Sequence, residues 1–397
     1  GSPKYGMEFR PYYLAREWLK LGHRVRIVAA SESHLRHQQP NVDGNIAHES
    51  IDEIEYVWLK TPSYHGNGVG RVLNLLAFAK ALFLYRKSLL SDFIPDIVIA
   101  SSPHPFIIRG SKKIASHAKA SLVFEVRDLW PLSLVELGGM SRWHPFVMLM
   151  QYEENYAYQC SDKIASLLPK AQEYMCSHGM SKEKFIYTPN GIVVADWKTS
   201  RSLPNETAGK IDLFRSKHDF LVGFTGTHGV ANALSYLLEA AKLLKSDNVG
   251  FVLVGEGIVK NALIKYAQKN KLSNVLFLNP VEKRMIPSFL TRMDILYIGW
   301  KKQPLYRFGV SPNKLFDYMM AGKPIVHAID AGNDLVAESG CGISCEAENP
   351  EAIAKVIMKL KDLSEDNSEA MGAKGRDYVL ANHDYAVLAK KYLGAMP

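Results

Sequence analysis

Short apolar runs alternate with longer amphipathic ones, and the alternation runs through the chain twice. No other feature limits the fold as much. In the first round the pattern predicts strands at 25–30, 55–59, 96–101, 122–126 and 163–168, with helices at about 7–21, 72–90, 106–117 and 146–159. In the second it predicts strands at 220–224, 250–254, 275–278, 295–298 and 325–328, with helices at 231–244, 259–269, 284–290 and from 312 onward. Strands that are apolar throughout, rather than on alternate residues, are covered on both faces, which means parallel sheets with helices on either side. The fold class is therefore α/β, with two Rossmann-like, doubly wound domains. Polar, proline-containing sequence from Lys198 to Thr207 marks the joint, giving domains at 1–197 and 198–380. A tail at 381–397 carries a helix at about 385–394 with no strand after it, and is expected to cross back onto the first domain.

A doubly wound domain opens with a central strand that leads into its first glycine loop. This chain begins at Gly1-Ser2-Pro3-Lys4-Tyr5-Gly6, already in such a loop. Either Gly1-Ser2 is a cloning scar, or the numbering omits an N-terminal strand; the second reading accounts for the missing strand.

Hydrophobic residues make up 47% of the 397 and charged residues 22%, enough for true cores and incompatible with global disorder. Cys160, Cys176, Cys341 and Cys345 form no CxxC pair and join no histidine cluster, so neither a metal site nor a disulfide framework is expected, and a reducing cytosolic compartment fits. The most apolar segment, 72–85, is too short to span a bilayer and is interrupted by Asn74 and Lys80. The net charge of +8 calls for a partner. Arg71, Lys80, Arg86 and Lys87 stand among Leu73, Leu76, Phe83 and Leu84 with no acid between them. That pattern suits a helix resting on an anionic membrane, and equally a core-packed helix with a solvated basic face. The stretch from Trp143 to Met150 is a second such candidate. No nucleic-acid module is recognisable.

The chemistry concentrates at the ends of strands. Ser311-Pro312-Asn313-Lys314 reads as the start of a helix, with Ser311 as N-cap and Pro312 at the first helical position, and Gly322 as its stop. Unpaired amides and the positive dipole end suit a phosphate, Lys314 adds charge, and Asp317 one turn on can accept from ribose hydroxyls. An ordinary capped helix has the same signature. Gly226-Thr227-His228-Gly229 follows a strand and lets amides approach a phosphate; Gly255-Glu256-Gly257 does so more weakly. GxGxxG is absent at both places, as are GxxxxGK[ST] and GxSxG elsewhere, which argues against nicotinamide, phosphate-loop and serine-hydrolase chemistry. Arg127 and Asp128 end a strand, where α/β enzymes place reacting groups, although a structural Arg–Asp pair fits too. His104, between two prolines at the end of the preceding strand, is a looser candidate.

Taken together, these motifs resemble glycosyltransferase family 4, of GT-B fold. The run Ser311-Pro312-Asn313-Lys314-Leu315-Phe316-Asp317-Tyr318-Met319 with Ala321-Gly322-Lys323-Pro324 is similar to its donor motif. Segments 1–14, 124–131, 189–192 and 254–257 match in order, most closely in the bacterial O-antigen and capsule branch that includes N-acetyl-L-fucosamine transferases. The resemblance implies retaining transfer from a UDP-sugar to a lipid-linked saccharide, in a cleft between two domains, without a cofactor or a required metal. It implies a peripheral protein on the inner face of the bacterial plasma membrane. Carried over by position, it implies donor contacts from Gly226, Thr227, His228, Gly229, Gly255, Val281, Ser311, Asn313, Lys314 and Asp317. Acceptor contacts fall at Gly6, Glu8 and Arg10, and catalytic roles at Asp128, Arg127 and His104.

Two departures bear on the donor. The family's paired glutamates, seven residues apart, fall at Gly309 and Asp317, so one carboxylate is missing and the other is shorter. Its basic pair is not evident at 226–233, which leaves Lys314 and backbone amides to stabilise the departing diphosphate. These departures point to a donor other than plain glucose or mannose. An N-acetylated amino or 6-deoxy-amino sugar fits the branch. Two rival activities suit the same fold, a UDP-sugar epimerase and a non-catalytic nucleotide-sugar or polysaccharide-binding module.

Overall fold

A computed structural model of the chain describes residues 1–6, 10–66, 68–102 and 104–396. They form two units, Gly1–Asn190 with Tyr385–Pro397, and Gly191–Asp384. The chain passes between units several residues earlier than the polar stretch 198–207 suggests. That stretch runs into a helix, Asn205–Arg215, which buries Ile211 and Phe214 in the second unit.

Seven strands build the first unit: β1 Arg26–Ala30, β2 Ile46–Ile51, β3 Ile54–Leu59, β4 Ile97–Ser101, β5 Ser121–Val126, β6 Lys163–Ser166 and β7 Phe185–Tyr187. They lie in two sheets, ordered β1-β3-β2 and β4-β5-β6-β7, rather than in one; no strand joins them among the described residues. Strand β2 pairs antiparallel to β3 through a two-residue turn at Asp52 and Glu53, both with positive φ. Such turns usually carry Asn-Gly, so Ile-Asp-Glu-Ile gives little warning of a hairpin. The helix expected over 72–90 is two: Val69–Leu84 ends at Tyr85, and a short turn follows at Arg86–Leu89. The tail helix Tyr385–Gly394 packs on the first helix, Arg10–Lys20. Trp18 donates its indole N–H to the Ala389 carbonyl at 3.1 Å, and Trp18 and Tyr392 meet edge to face at 5.4 Å.

The second unit holds β8 Phe220–Thr225, β9 Val249–Val254, β10 Val275–Leu278, β11 Ile295–Gly299, β12 Ile325–Ala328 and β13 Gly342–Ser344. All are parallel, in the order β10-β9-β8-β11-β12-β13. Alternate residues of one strand feed opposite cores. Phe251 and Leu253 of β9 pack with Leu237, Leu238 and Ile357 on one face, whereas Val252 and Val254 pack with Phe316 and Met319 on the other. Chain order reverses between β8 and β11, so the connections leaving them diverge and open a crevice at their C-terminal ends. The glycine loop after β8 and the segment from Trp300 to Pro312 after β11 border that crevice.

The helix that follows, Asn313–Ala321, is held from behind by an unpredicted helix, Glu365–Asn382. Close approach needs glycine: a Cβ at Gly372 would overlap the Gly322 carbonyl, and one at Gly375 would lie 2.8 Å from Cys341 Cβ. Arg376 then donates to the carbonyls of Met320 and Ala321 at the end of the shorter helix. Its cation there also complements the helix dipole.

Candidate active site

The donor-side residues gather at the switch point of the second unit. Helix Asn313–Ala321 starts one residue later than expected. Pro312 is the N-cap (φ −74°, ψ 121°) and offers no side-chain hydrogen bond, so the first-turn amides receive no cap from it. Tyr318 ties this helix to β8. The Thr225 N–H donates to the Tyr318 hydroxyl at 2.8 Å, and the hydroxyl donates to the Thr225 carbonyl at 3.3 Å, with both residues buried. The sequence reading missed Tyr318, which lies next to Asp317 in the donor motif.

Just beyond Thr225 the loop amides alternate in use. Gly226 N–H donates to Val254 O at 3.0 Å and His228 N–H to Glu256 O at 2.8 Å, so neither is available to a phosphate. Among the described residues, the amides of Thr227 and Gly229 make no hydrogen bond. Of the four amides expected to cradle the ligand, two remain. The Gly255-Glu256-Gly257 turn serves this loop rather than a ligand: a Cβ at Gly255 would overlap Gly226 O, and one at Gly257 would overlap His228 O. His228 is likewise inside, with 0% exposure and no partner for either ring nitrogen. Burial, with Lys260 nearby, pulls it down to about 4, so it is neutral near pH 7. Lys260 braces the base of the loops, donating to Gly255 O (2.8 Å), Glu256 Oε2 (3.0 Å) and Leu278 O (3.2 Å).

Lys314 reaches back from the helix start to the glycine loop. Its Nζ lies 4.4 Å from the Phe224 ring centre and 2.7 Å from Asn232 Oδ1, and a Cβ on Gly226 would stand 3.0 Å from it. One turn on, Asp317 is half-buried; burial raises its carboxyl, while Lys283 and a hydrogen bond from the Trp197 indole pull it back. Asn313 is exposed, Ser311 half-buried, and Val281 packs on the core near the end of β10. Gly309, where the resembling family carries its first glutamate, is buried with φ 99° and donates its N–H to Tyr306 O at 2.9 Å. A side chain is strained in that backbone conformation, so the missing carboxylate is a structural replacement, not a neutral change. A depression of about 920 Å³ lies farther along this unit, lined in part by Arg307, Asp330, Gly332 and Glu346, and none of the phosphate-side residues lines it.

In the first unit, Arg10 is not placed to meet an acceptor. It is 5% exposed, and its guanidinium is spent on Glu125 (2.9 Å), Thr188 O (2.9 Å) and Pro189 O (2.5 Å). Burial pushes Glu125 up, but Arg10 and the Ser101 hydroxyl at 2.6 Å outweigh it and hold the carboxylate below its usual range. This network locks the ends of β4 and β5 to the first helix. Gly6 (φ 78°) packs against the His37 ring, and Glu8 lies outside the described residues. Asp128 is exposed at the end of β5; Arg127 beside it is half-buried, its N–H donating to Ser102 Oγ at 3.1 Å. His104 is buried, its Nδ1 unpartnered, and burial with the Arg71 charge pulls it down to about 4. It is therefore a neutral imidazole near pH 7, able to accept a proton but not to supply positive charge. Among the described residues no group of three or more His, Cys, Asp or Glu could hold a metal ion.

Known families divide as the structure does. Residues 5–191 match the model described as "Glycosyl transferase 4-like domain", and residues 219–362 match "Glycosyl transferases group 1". Two Rossmann-like units of this kind define the GT-B fold. The chain belongs to the glycosyltransferases of family 4. It is 23% identical over 369 residues to WcaI of Escherichia coli (strain K12), named for colanic acid biosynthesis, with 89% of this chain and 88% of that protein covered. To the "Probable glycosyltransferase WbjE" of Pseudomonas aeruginosa it is 21% identical, over 78% of this chain and 76% of the other. Among solved structures, Anabaena Alr3699/HepE, crystallised with UDP and glucose, is similar with a TM-score of 0.59 and 14% identity, covering 86% of each chain.

If Tyr318 sets the site, Tyr318→Phe should strand the buried Thr225 N–H and cost about 1–3 kcal/mol of stability. Urea unfolding followed by fluorescence should show the lower midpoint, and a midpoint equal to wild type contradicts the assignment.

Proposed function

We propose that the protein moves a sugar, with retention of anomeric configuration, from a UDP-sugar to a lipid-linked saccharide in the synthesis of a bacterial surface polysaccharide. One observation carries the donor half. Two unbonded amides, an uncapped helix start and an amine without a counter-charge converge beside the switch point of the second unit. Such a set suits a diphosphate and stabilises the negative charge that develops on its β-phosphate as the sugar leaves. The UDP held by HepE supports the choice of nucleotide, and the names of WcaI and WbjE support surface polysaccharide as the destination. Asp317, with Trp197 holding its carboxylate, takes the ribose diol. Gly309 in place of a carboxylate, together with the branch resemblance, favours an N-acetylated amino or 6-deoxy-amino sugar.

For retention, the acceptor hydroxyl attacks the face that the diphosphate vacates, and the departing phosphate oxygen takes its proton. Asp128 orients the acceptor and Arg127 balances charge beside it. His104, neutral and buried against Phe106, shapes the pocket wall. No metal or cofactor is required in this scheme, because Lys314 and the Thr227 and Gly229 amides supply the charge stabilisation.

Two variants test the assignment together. Asp317→Ala should weaken UDP binding by about 1.5–3 kcal/mol, the range for a hydrogen bond to a charged group. Asp128→Asn, on the other unit, should leave UDP affinity alone and lower kcat at least about tenfold, or 1.4 kcal/mol. UDP should be released in quantity only when acceptor is present. Conversion of the sugar without UDP release would make the protein an epimerase, and binding without turnover a recognition module.

The acceptor's lipid calls for a membrane surface. Among the described residues no helix is long and apolar enough to cross one. Helix Val69–Leu84 buries only Asn74, Ala81 and Leu82, and leaves Val69, Leu73, Phe83 and Leu84 exposed among its basic residues. Trp143, 82% exposed, precedes helix Pro145–Cys160, which also exposes Met148 and Leu149. Both helices pack on the turn Pro105–Ile107, so the apolar and basic groups flank one feature of the first unit. Apolar side chains exposed on both helices exceed what a merely solvated basic face needs. Co-sedimentation with liposomes should rise with anionic lipid and fall with salt. Equal binding to neutral and anionic vesicles contradicts the electrostatic part.

A further inference from the structure

We infer that Asn232 is a positioning residue that parks the Lys314 amine against a neutral amide oxygen, so that the diphosphate of the donor enters the site together with one proton. The inference rests on the donor reading above and concerns what the empty site does with its cation.

Asn232 lies in a short turn, Val230–Asn232, directly after the glycine loop. Its amide works in two directions. Nδ2–H donates to the Thr227 carbonyl at 2.8 Å, and Oδ1 accepts from Lys314 Nζ at 2.7 Å. The residue therefore anchors the carbonyl side of Thr227, whose own N–H, in the preceding peptide, is one of the two unbonded amides, and at the same time holds the lysine beside it. The oxygen it offers is uncharged. A carboxylate in that place would pair the amine permanently and compete with a phosphate.

No other group supplies a counter-charge. From the β8 loop comes His228, buried and neutral. From the β9 loop and the helix after it come Glu256 and Lys260, which pair with each other at 3.0 Å. On the helix of Lys314 itself, Asp317 is engaged by Trp197 and Lys283. Lys301, which follows β11, is tied by its own N–H to Ala231 O and adds only positive charge. Phe224, from β8, presents its ring face at 4.4 Å. Among the described residues no carboxylate stands within ion-pair distance of Lys314. Loss of hydration without a compensating negative charge disfavours the ammonium and pulls Lys314 down to about 7.

The sign follows. Above about pH 7 the amine of the empty site is mostly neutral. A bound diphosphate holds it protonated, so its nitrogen lone pair takes a proton from a buffer acid as the ligand binds. Affinity then falls about tenfold for each pH unit above 7, until the pKa of the bound state is reached.

Calorimetry with UDP at about pH 8.5, in two buffers of different ionisation enthalpy, reads the proton directly. The terminal phosphate of UDP, with a second pKa of about 6, is already ionised there and contributes nothing. The wild type should take up about one proton per UDP. Lys314→Arg, charged at every pH, should bind with no uptake and with a flat pH profile. Asn232→Asp supplies the missing counter-charge, so uptake should disappear and UDP should bind more weakly. A purely structural Asn232 would lower the melting temperature of the Asp variant and leave its proton uptake unchanged, which overturns the inference. So does uptake that persists in Lys314→Arg. Wild-type binding without uptake overturns the inference and leaves the donor reading standing. UDP that fails to bind, or binds equally well to Lys314→Ala, removes both.

Discussion

The hydrogen bonds between Tyr318 and Thr225 are the constraint on which the donor side depends. They join a helix to the strand whose loop it serves, at the point where the sheet reverses its order. With that helix pinned, Lys314 one turn earlier lies back over Phe224 toward Gly226, and Asp317 faces Trp197. The long helix Glu365–Asn382, admitted by Gly372 and Gly375, closes the other end. A site of this kind is precise because it is held at both ends by rigid elements rather than by its loops.

Two cations, Arg10 buried and Lys314 half-buried, show how differently one fold treats charge. Arg10 is fully compensated, by a carboxylate and two carbonyls, and such a network ties elements together but has nothing left for a substrate. Lys314 has one neutral partner and an aromatic face. A buried group left short of its counter-charge is costly to the empty protein, and functional sites are where such costs are retained. The same contrast separates the loop amides: those of Gly226 and His228 hold two loops together, and those of Thr227 and Gly229 stay open.

Much of this was legible in the sequence, for physical reasons. Strands β8 to β12 of the second unit are largely apolar because both faces are covered, and their expected limits agree with the observed ones to within a residue; the short edge strand β13, only partly buried, was not expected. The motif at 311–324 revealed the helix because its proline and glycine fall at the two ends, where the structure has the N-cap and the C-cap. What stayed hidden depends on contacts. The hairpin at Asp52-Glu53 lacks glycine. The helix Glu365–Asn382 buries little besides Gly372, Gly375 and Val379, so it shows no apolar stripe. Arg10 and His228 look like site residues by type, and only burial reveals that one is braced and the other enclosed. Asn232 and Tyr318 carry no motif signal beyond their neighbours, because their roles are set by residues about 80 to 90 positions away.

The central claim is that the diphosphate of the donor is held by the Thr227 and Gly229 amides and the start of helix Asn313–Ala321. Amide hydrogen exchange with and without saturating UDP tests this most directly. Thr227 and Gly229 are unbonded in the empty protein and should exchange fast, then slow sharply when UDP binds, as should the first turn after Pro312. Gly226 and His228, already bonded, should change far less. Protection confined to other segments, or none at Thr227 and Gly229 while UDP is bound, would contradict the account.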